Sequence, residues 1–541
     1  MRKDAKDATT SGHTFVAHGR LESMITDAVI VPTDLNFNLE PYWVPLLGVD
    51  GQRLRPLTWP NQGWGRASGQ TAAHTDIWFL DVDVTAEENP VDVLMRRLTN
   101  LLEAVHSSRA TGAASTEKRG RVLPLIAMPL IGTRAGGLGS QTGTVVERLL
   151  LTARKFTDRN PVDVVIVGVR PAAVAALQQT RRRMDGFFEE LPQKLLTTAQ
   201  ELGRKAAEGN LALLLGAGVS IPAGLPSWSG LIERLRTKAR AIGASDGAVT
   251  GDRFDRLSAL DQASLLEKIL GKHFADDVVM AIGRPPAPAL AHVLLAGLKC
   301  MEVVTTNYDD CYELAVNSQS PASDVRMPLG SSSTGTGRIP NIAVLPWEAP
   351  RPDKPWILKL HGDVHDRESI VLTRGQFVGY DSTWRPAGSL FQSVLLRRHL
   401  LVVGASLTDD NVLRLTHEVS AFRSKHKVAS LLGVVLSLGP DPARARLWSD
   451  NLDWVGIDGG DQENQARILE VMLDAVAMYA ARDHSYLLDL DFGGLLREKD
   501  RESVDDVREL AGNLMKKHQG EPQWESVLTA LADWGFREAP E

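Results

Sequence analysis

Short apolar runs alternate along this chain with longer segments whose apolar residues recur every three or four positions. Short apolar runs bounded by polar turns predict buried parallel strands, and the three-to-four spacing predicts helices. Ala28–Pro32, Ile77–Val82, Leu123–Met128 and Val162–Val167 form one set of strands, with a helical pattern, Gly143–Phe156, before the last of them. Residues 185–210 predict a helical connector into the run Leu211–Leu215. Glu302–Thr305, Trp356–Lys359, Leu400–Val403 and Leu431–Leu436 continue a second set. From about residue 463 the pattern is helical, with Ile468, Val471, Met472, Ala475 and Met478 at helical spacing. A helical tail packed on a core or on a neighbouring subunit is expected there.

Strands alternating with helices predict an α/β fold with parallel sheets. A length of 541 residues exceeds one ordinary core. The expected division is a disordered lead-in at 1–20, a smaller α/β domain at 21–184, a larger one at 185–460 and a helical region at 461–541. Ser107–Gly120 (SSRATGAASTEKRG) reads as a surface loop, and the Gly/Ser/Thr-rich stretch Leu329–Arg338 as a mobile segment. No internal repeat is present at solenoid periods.

Charge and cysteine content narrow the classes. A net charge of −7 and a pI near 6.0 exert no global pull toward nucleic acid or acidic lipid. The basic runs Arg181–Arg183 and Arg423–Lys427 read as solvated helix faces or loops. Two cysteines, Cys300 and Cys311, exclude a disulfide scaffold and a four-cysteine zinc site. His361 and His365 stand four apart but follow a strand, so no metal is expected. No run reaches ~18 apolar residues, and the polar start has no apolar signal core, so a cytoplasmic protein without a membrane span is expected.

The candidate chemistry lies just past the carboxyl ends of four strands. After Leu211–Leu215 come Gly216-Ala217-Gly218-Val219-Ser220 and then Gly224-Leu225-Pro226-Ser227-Trp228. Glycines there permit a tight turn and the approach of an anionic group to backbone N–H groups. The third glycine of the dinucleotide fingerprint is absent, since Ile221 stands in its place. After Glu302–Thr305 come Thr306-Asn307-Tyr308-Asp309; after Trp356–Lys359, Leu360-His361-Gly362-Asp363; after Leu400–Val403, Gly404-Ala405-Ser406. In an open parallel sheet this edge is where ligands bind. Each segment alone also fits a bland reading: Asn307 and Asp309 as helix caps, His361 as a hydrogen-bonded core histidine, the glycines as plain turns.

The ordered set resembles the Sir2 (sirtuin) superfamily: GAG-x-S with Gly-Leu-Pro, then T-x-N-x-D, then a strand ending in His-Gly, then G-x-S. The resemblance covers residues 205–440. It implies a Rossmann-like parallel sheet that binds NAD. Gly216, Ala217, Gly218 and Ser220 would hold its pyrophosphate side, with Pro226, Trp228 and Thr306 also bordering the nucleotide. Gly404 and Ser406 would lie near the adenosine. Asn307 and Asp309 would sit by the nicotinamide ribose, and His361 would be the base facing it. The chain departs from the protein-deacetylating branch, because it lacks that branch's zinc cysteines and has Ser227-Trp228-Ser229 where that branch has Asp-Phe-Arg. It instead resembles bacterial SIR2-like proteins of anti-phage defence that consume NAD by hydrolysis. The implied activity is a gated NAD hydrolase. An NAD-dependent deacylase or ADP-ribosyltransferase, and a non-catalytic nucleotide-binding module, are the alternatives.

Residues 25–34 (ITDAVIVPTD) and 123–139 (LPLIAMPLIGTRAGGLG) resemble the macro domain, an ADP-ribose reader. The resemblance implies that Asp27 contacts adenine and that Gly132, Gly136 and Gly137 form a phosphate loop. Val31, Pro32, Thr33 and Asp34 replace that family's usual asparagines, which speaks against ADP-ribose hydrolysis. The expected partners are NAD, an ADP-ribose-like nucleotide signal or a phage-derived trigger, and further copies of the chain in a homo-oligomer. Nucleic acid and membrane are not expected.

Overall fold

The structure is a computed structural model. It describes residues 11–48, 51–69, 75–84, 87–110, 121–132, 138, 141–242, 249, 251–319 and 341–537. The chain divides into two compact units. The first draws mainly on residues up to Ala199 and from Val471 onward. The second holds Gln200–Asn317 and the chain up to Glu470. Among the described residues no helix is long and apolar enough to cross a membrane.

The first unit is built on β1 (Thr14–His18), β2 (Ala28–Thr33), β3 (Trp64–Arg66), β4 (Asp76–Asp81), β5 (Leu125–Pro129) and β6 (Asp163–Gly168). Their order is β1-β6-β5-β2-β4-β3. All pairs are parallel except β3 with β4. The four predicted strands are present within two residues at each end. The disordered lead-in is not borne out at Thr14–His18, because all five residues of β1 are buried and pair with β6. A five-residue strand flanked by polar residues carries too little periodicity to stand out. Residues 1–10 lie outside the described residues. Ser107–Ala110 form the last turn of the helix Pro90–Ala110 rather than a loop, and 111–120 lie outside the described residues. So does Leu329–Arg338.

The second unit carries β7 (Leu211–Leu215), β8 (Glu302–Thr305), β9 (Ala343–Leu345), β10 (Trp356–Lys359), β11 (His399–Val403), β12 (Gly433–Leu438) and β13 (Leu452–Ile457). The order is β13-β12-β11-β7-β8-β10-β9, parallel throughout. This is a Rossmann-like sheet with helices between its strands. The chain leaves β7 for β8 on one side and later returns to β11 on the other, so the strand order switches direction at β7. A crevice opens at the carboxyl edge of such a switch point. Leu214, Val402, Phe391, Leu395 and Val435, all nearly inaccessible, pack one face of the sheet.

The C-terminal region is helical, with helices Gln462–Ala480, Glu498–His518 and Glu525–Asp533. From Val471 it belongs to the first unit. One link there is a buried ionic cluster that takes in Arg181, which corrects the expectation of a solvated face at that residue. Asp474 Oδ2 lies 2.6 Å from Arg181 Nη2 and 2.8 Å from His13 Nε2, and His13 Nδ1 lies 2.8 Å from Glu190 Oε1. Burial opposes the charge on His13, but the two carboxylates outweigh it and hold its pKa above the ordinary value. Removing one member of a buried set leaves the others uncompensated. Asp474→Asn is therefore expected to destabilise the first unit by about 3–5 kcal/mol, measured by urea unfolding at pH 7.

Candidate active site

The turn after β7 is joined to the turn after β11 by backbone alone. Gly216 N donates to Val403 O at 3.0 Å, and Gly218 N to Gly404 O at 3.0 Å. A Cβ on Gly216 would stand 2.5 Å from Ala405 Cα, one on Gly218 2.9 Å from Gly404 Cα, and one on Gly404 2.5 Å from Val219 N. Gly404 also has φ +70°, a left-handed conformation that favours glycine. The expectation that the missing side chains admit a phosphate is thereby corrected. They admit the neighbouring turn, and Gly218 is not among the residues that line the cleft.

This contact sets Ser220 at the bottom of the site, 2% exposed. Its Oγ donates to Asp309 Oδ2 at 2.9 Å and lies 3.2 Å from His292 Nε2. Asn307 Nδ2 donates to both Ser220 Oγ and Gly216 O, each at 3.2 Å. Ala289 N donates to His292 Nδ1 at 3.2 Å, so the neutral ring carries its proton on Nε2 and donates it to Ser220. Ser220 is thus a hub between the glycine turn, the Asn307–Asp309 turn and the helix Leu290–Gly297. His292, Asp309 and Cys311 bring ligand atoms within 4.8 Å of one another. Both His292 nitrogens and both Asp309 oxygens are already engaged, the latter by Ser220 and by Cys311 N at 3.1 Å.

His361 follows β10 on the opposite wall, 3% exposed, with Phe377 and Tyr380 against its ring at 5.1 and 6.4 Å. Its Nε2 stands 3.1 Å from Asp409 Oδ2, but out of line for a hydrogen bond. Asp409 also caps the helix Asp410–Lys425 by accepting from Val412 N at 2.9 Å. Burial favours the neutral form of Asp409, yet His361 and the Val412 and Asn411 N–H groups prevail and hold its carboxyl below the usual range.

The walls enclose a cleft of about 440 Å³, a size that suits a small-molecule ligand. Gly216, Ala217, Ser220, Pro226, Trp228, Thr306, Asn307, Asp309, His361, Gly404 and Ser406, all predicted, line it. Ser227, another lining residue, caps the helix Trp228–Ala241 by accepting from Gly230 N at 3.2 Å. Among the lining residues, Asn307 Oδ1 and Trp228 Nε1 are buried without a hydrogen-bond partner, and His361 Nε2 has only the misaligned Asp409 carboxylate beside it. Buried polar atoms are seldom left so; an amide acceptor and an imidazole nitrogen facing one cleft suit the hydroxyls and water of a ribosyl ligand. Sequence reasoning assigned no role to His292 or Asp409. Asp409 sits in the stretch LTDDN beside a predicted motif, whereas His292 lies in an apolar helix with no local signal.

In the first unit, Asp27 and Gly132 do not come together. Asp27 precedes β2, and its oxygens accept from Arg109 Nη2 at 2.9 Å and Leu125 N at 2.8 Å. Gly132 follows β5, which runs parallel to β2 with Ala28 opposite Ile126. The two residues therefore lie at opposite edges of the sheet, roughly 20 Å apart along the strands. Asp27 acts as a structural tie between the helix Pro90–Ala110 and β5, with both carboxylate oxygens engaged, which speaks against its expected contact with adenine. Gly136 and Gly137 lie outside the described residues.

A parallel sheet with a glycine turn, an Asn–Asp turn and a histidine around one switch-point cleft defines an α/β nucleotide-binding unit. Residues 301–453 match the family model of the SIR2-like domain, so the second unit carries a SIR2-like domain. The chain is similar to "NAD(+) hydrolase ThsA" of Acinetobacter baumannii (strain 532279), 25% identical over 210 residues, 39% of each chain. It is 26% identical to the protein of that name from Enterococcus faecium over 220 residues, 39% of this chain and 40% of that one. It is 20% identical to "Defense-associated sirtuin 2" of Bacillus subtilis over 236 residues, 42% of this chain and 21% of that one. The chain thus spans about two fifths of the length of the ThsA relatives.

Burial pushes His292 down to about 4, only partly offset by Asp309. Its folded pKa lies below the unfolded one, so the unfolded chain binds more protons between the two values. Stability is then expected to fall as pH drops from 6.5 toward 4, by on the order of 3 kcal/mol for this group. Melting curves of wild type and His292→Gln across that window test it. The variant should lose that part of the slope.

Proposed function

We propose that the chain hydrolyses NAD+ at the nicotinamide–ribose bond, releasing nicotinamide and ADP-ribose. The observation that carries the reading is the convergence of Asn307, whose Oδ1 is buried without a hydrogen-bond partner, and His361 on one cleft of a SIR2-like domain. The printed activity of the ThsA relatives supports it.

Breaking the N–C1′ bond leaves its electron pair on nicotinamide and positive charge on the ribose. Water then adds to C1′ and gives up a proton. His361 takes that proton as general base, its ring lining the cleft. Asn307, with its amide nitrogen held by Ser220 and Gly216 O, offers its oxygen to water and ribose hydroxyls. Asp309 acts through Ser220 to keep Asn307 in place. Gly216, Ala217 and Ser220 border the pyrophosphate side, Pro226, Trp228 and Thr306 the nucleotide between, and Gly404 and Ser406 the adenosine side.

The biological reading is anti-phage defence by NAD depletion, supported by the name of the Bacillus subtilis relative. Such an activity requires gating. An ADP-ribose-like nucleotide or a phage-derived trigger acting on the first unit, within a homo-oligomer, supplies it by shifting an inactive assembly to an active one. Calorimetric titration of the full-length His361→Ala chain with ADP-ribose, cyclic ADP-ribose and NAD+ tests the nucleotide arm. Heat that persists when the second-unit cleft is also blocked by Ser406→Trp locates a further site. Its absence removes the nucleotide signal.

The purified wild type, incubated with NAD+ and no protein acceptor, is expected to release nicotinamide, followed by chromatography. Asn307→Ala and His361→Ala should each lower the rate by roughly 10²–10⁴-fold with an unchanged melting temperature. Release that needs an acylated or protein acceptor would point to a deacylase or ADP-ribosyltransferase. Tight binding with no release, with every candidate nucleotide present, would point to a binding module.

A further inference from the structure

Beneath the two catalytic turns lies a charged cluster that the chemistry above does not use. Lys359, the last residue of β10, is fully buried. Its Nζ lies 2.8 Å from Glu313 Oε1 and 3.3 Å from Asp363 Oδ2. It also donates to the carbonyl oxygens of Asp309 and, at 3.5 Å, Tyr308. One ammonium therefore touches three elements: the turn that carries Asn307 and Asp309, the helix Cys311–Asn317 behind it, and the turn His361–Asp363. Secondary contacts run the same way. Val364 N donates to Tyr308 O at 3.0 Å, and Asp363 holds its own turn by accepting from His365 N at 2.7 Å.

Burying an ammonium with two carboxylates is a weak source of stability, because desolvation offsets much of the attraction. An apolar side chain would fill the space at lower cost. What an apolar side chain lacks is the capacity to bind two backbone carbonyls and a carboxylate on separate turns at once. The carbonyls of Tyr308 and Asp309 face inward to Lys359, and the Asp309 side chain faces outward to Ser220. Asn307 is one residue before that peptide, and His361 is two residues after Lys359.

We propose that Lys359 is a positioning residue for NAD+ hydrolysis: its ammonium clamps the Asn307–Asp309 turn to the His361–Asp363 turn and so sets the distance between the two catalytic side chains. The inference rests on the hydrolase reading above. The charge balance supports it. Burial would lower the pKa of Lys359, but Glu313 and Asp363 outweigh that and raise it, so the clamp stays cationic. Burial pushes Glu313 up to about 7 against the pull of Lys359.

The experiment uses the full chain as wild type, Lys359→Met, and Lys359→Met combined with Glu313→Gln, which removes the nearer of the two stranded carboxylate charges. The double variant keeps the test decisive if Lys359→Met alone fails to fold. Turnover of NAD+, KM and melting temperature are measured for each. In parallel, the ring carbon signal of His361 in histidine-labelled protein, assigned by its loss in His361→Ala, reports the geometry of the turn without reference to activity. The expected result is a fall in kcat of about a hundredfold, the scale of a 1 Å misplacement, with KM unchanged. The double variant should regain melting temperature without regaining kcat, and the His361 signal should shift or split in both. Turnover that recovers together with melting temperature, or KM rising as kcat falls, would make Lys359 merely structural and overturn the proposal. If wild type leaves NAD+ intact under every condition, the hydrolase reading fails, and the His361 signal alone decides the clamp: unmoved, it overturns the positioning role; moved, it upholds it.

Discussion

The second unit depends on a place where backbone meets backbone. The turn after β7 and the turn after β11 touch through Gly216, Gly218 and Gly404, with no side chain between them. That contact brings two central strands of the sheet to a common edge and leaves room for Ser220 beneath them. From Ser220 the order spreads by hydrogen bonds to Asn307, Asp309 and His292. A single added methyl at Gly216 meets main-chain atoms that cannot rotate away. The glycines that open the motif are therefore architectural, and the polar residues that follow them carry the chemistry.

The opposite wall is held by charge. His361 has Asp409 beside its ring, and the peptide two residues upstream ends in the buried ammonium of Lys359. The two walls share no direct side-chain bond between Asn307 and His361 among the described contacts. Their spacing is inherited from the supports behind them: Ser220 on one side, Asp409 on the other and Lys359 below. Asn307 Oδ1 stays without a partner while the Nδ2 of the same amide is bonded to Ser220 and Gly216, which keeps that side chain organised and available to a ligand.

Much of this was readable from the sequence, and the pattern of what was not is physical. Strands buried on both faces appear as continuous apolar runs, so β7, β8, β10 and β11 stand out, and so do the polar residues just past their ends. β3 and β9 have only three residues each, β1 (TFVAH) opens on Thr14 and closes on His18 so that no continuous apolar run marks it, and β13 mixes exposed Asp453 with its apolar residues. His292, Lys359 and Glu313 escaped because their role is tertiary. Each sits in an otherwise apolar segment, and only the fold brings its partner within reach. Asp27 failed in the other direction. A local match to a motif made it an adenine contact, but parallel strand pairing puts it at the edge of the sheet opposite Gly132, where Arg109 and Leu125 N occupy both its oxygens. Pattern within one segment gives the element; which edge of the sheet a residue occupies depends on register with its neighbours.

The electrostatics of the cleft bear on the kind of reaction it suits. Its described lining includes Asp309, Asp409 and Asp410 with His361, and neither lysine nor arginine. The diphosphate of the proposed substrate would be met there by backbone N–H groups and by the amino end of the helix Trp228–Ala241, which attracts anions without a full positive charge. Meanwhile Asp409 is held ionised within the enclosed half of the site. In the proposed reaction a full cation near the ribose would oppose the positive charge that develops as nicotinamide leaves, and this lining places no lysine or arginine there. Ionised carboxylates in a cleft partly shielded from water favour that charge where it forms. The same arrangement that makes the site a poor general trap for anions thus suits departure of a neutral base from a cationic nucleotide.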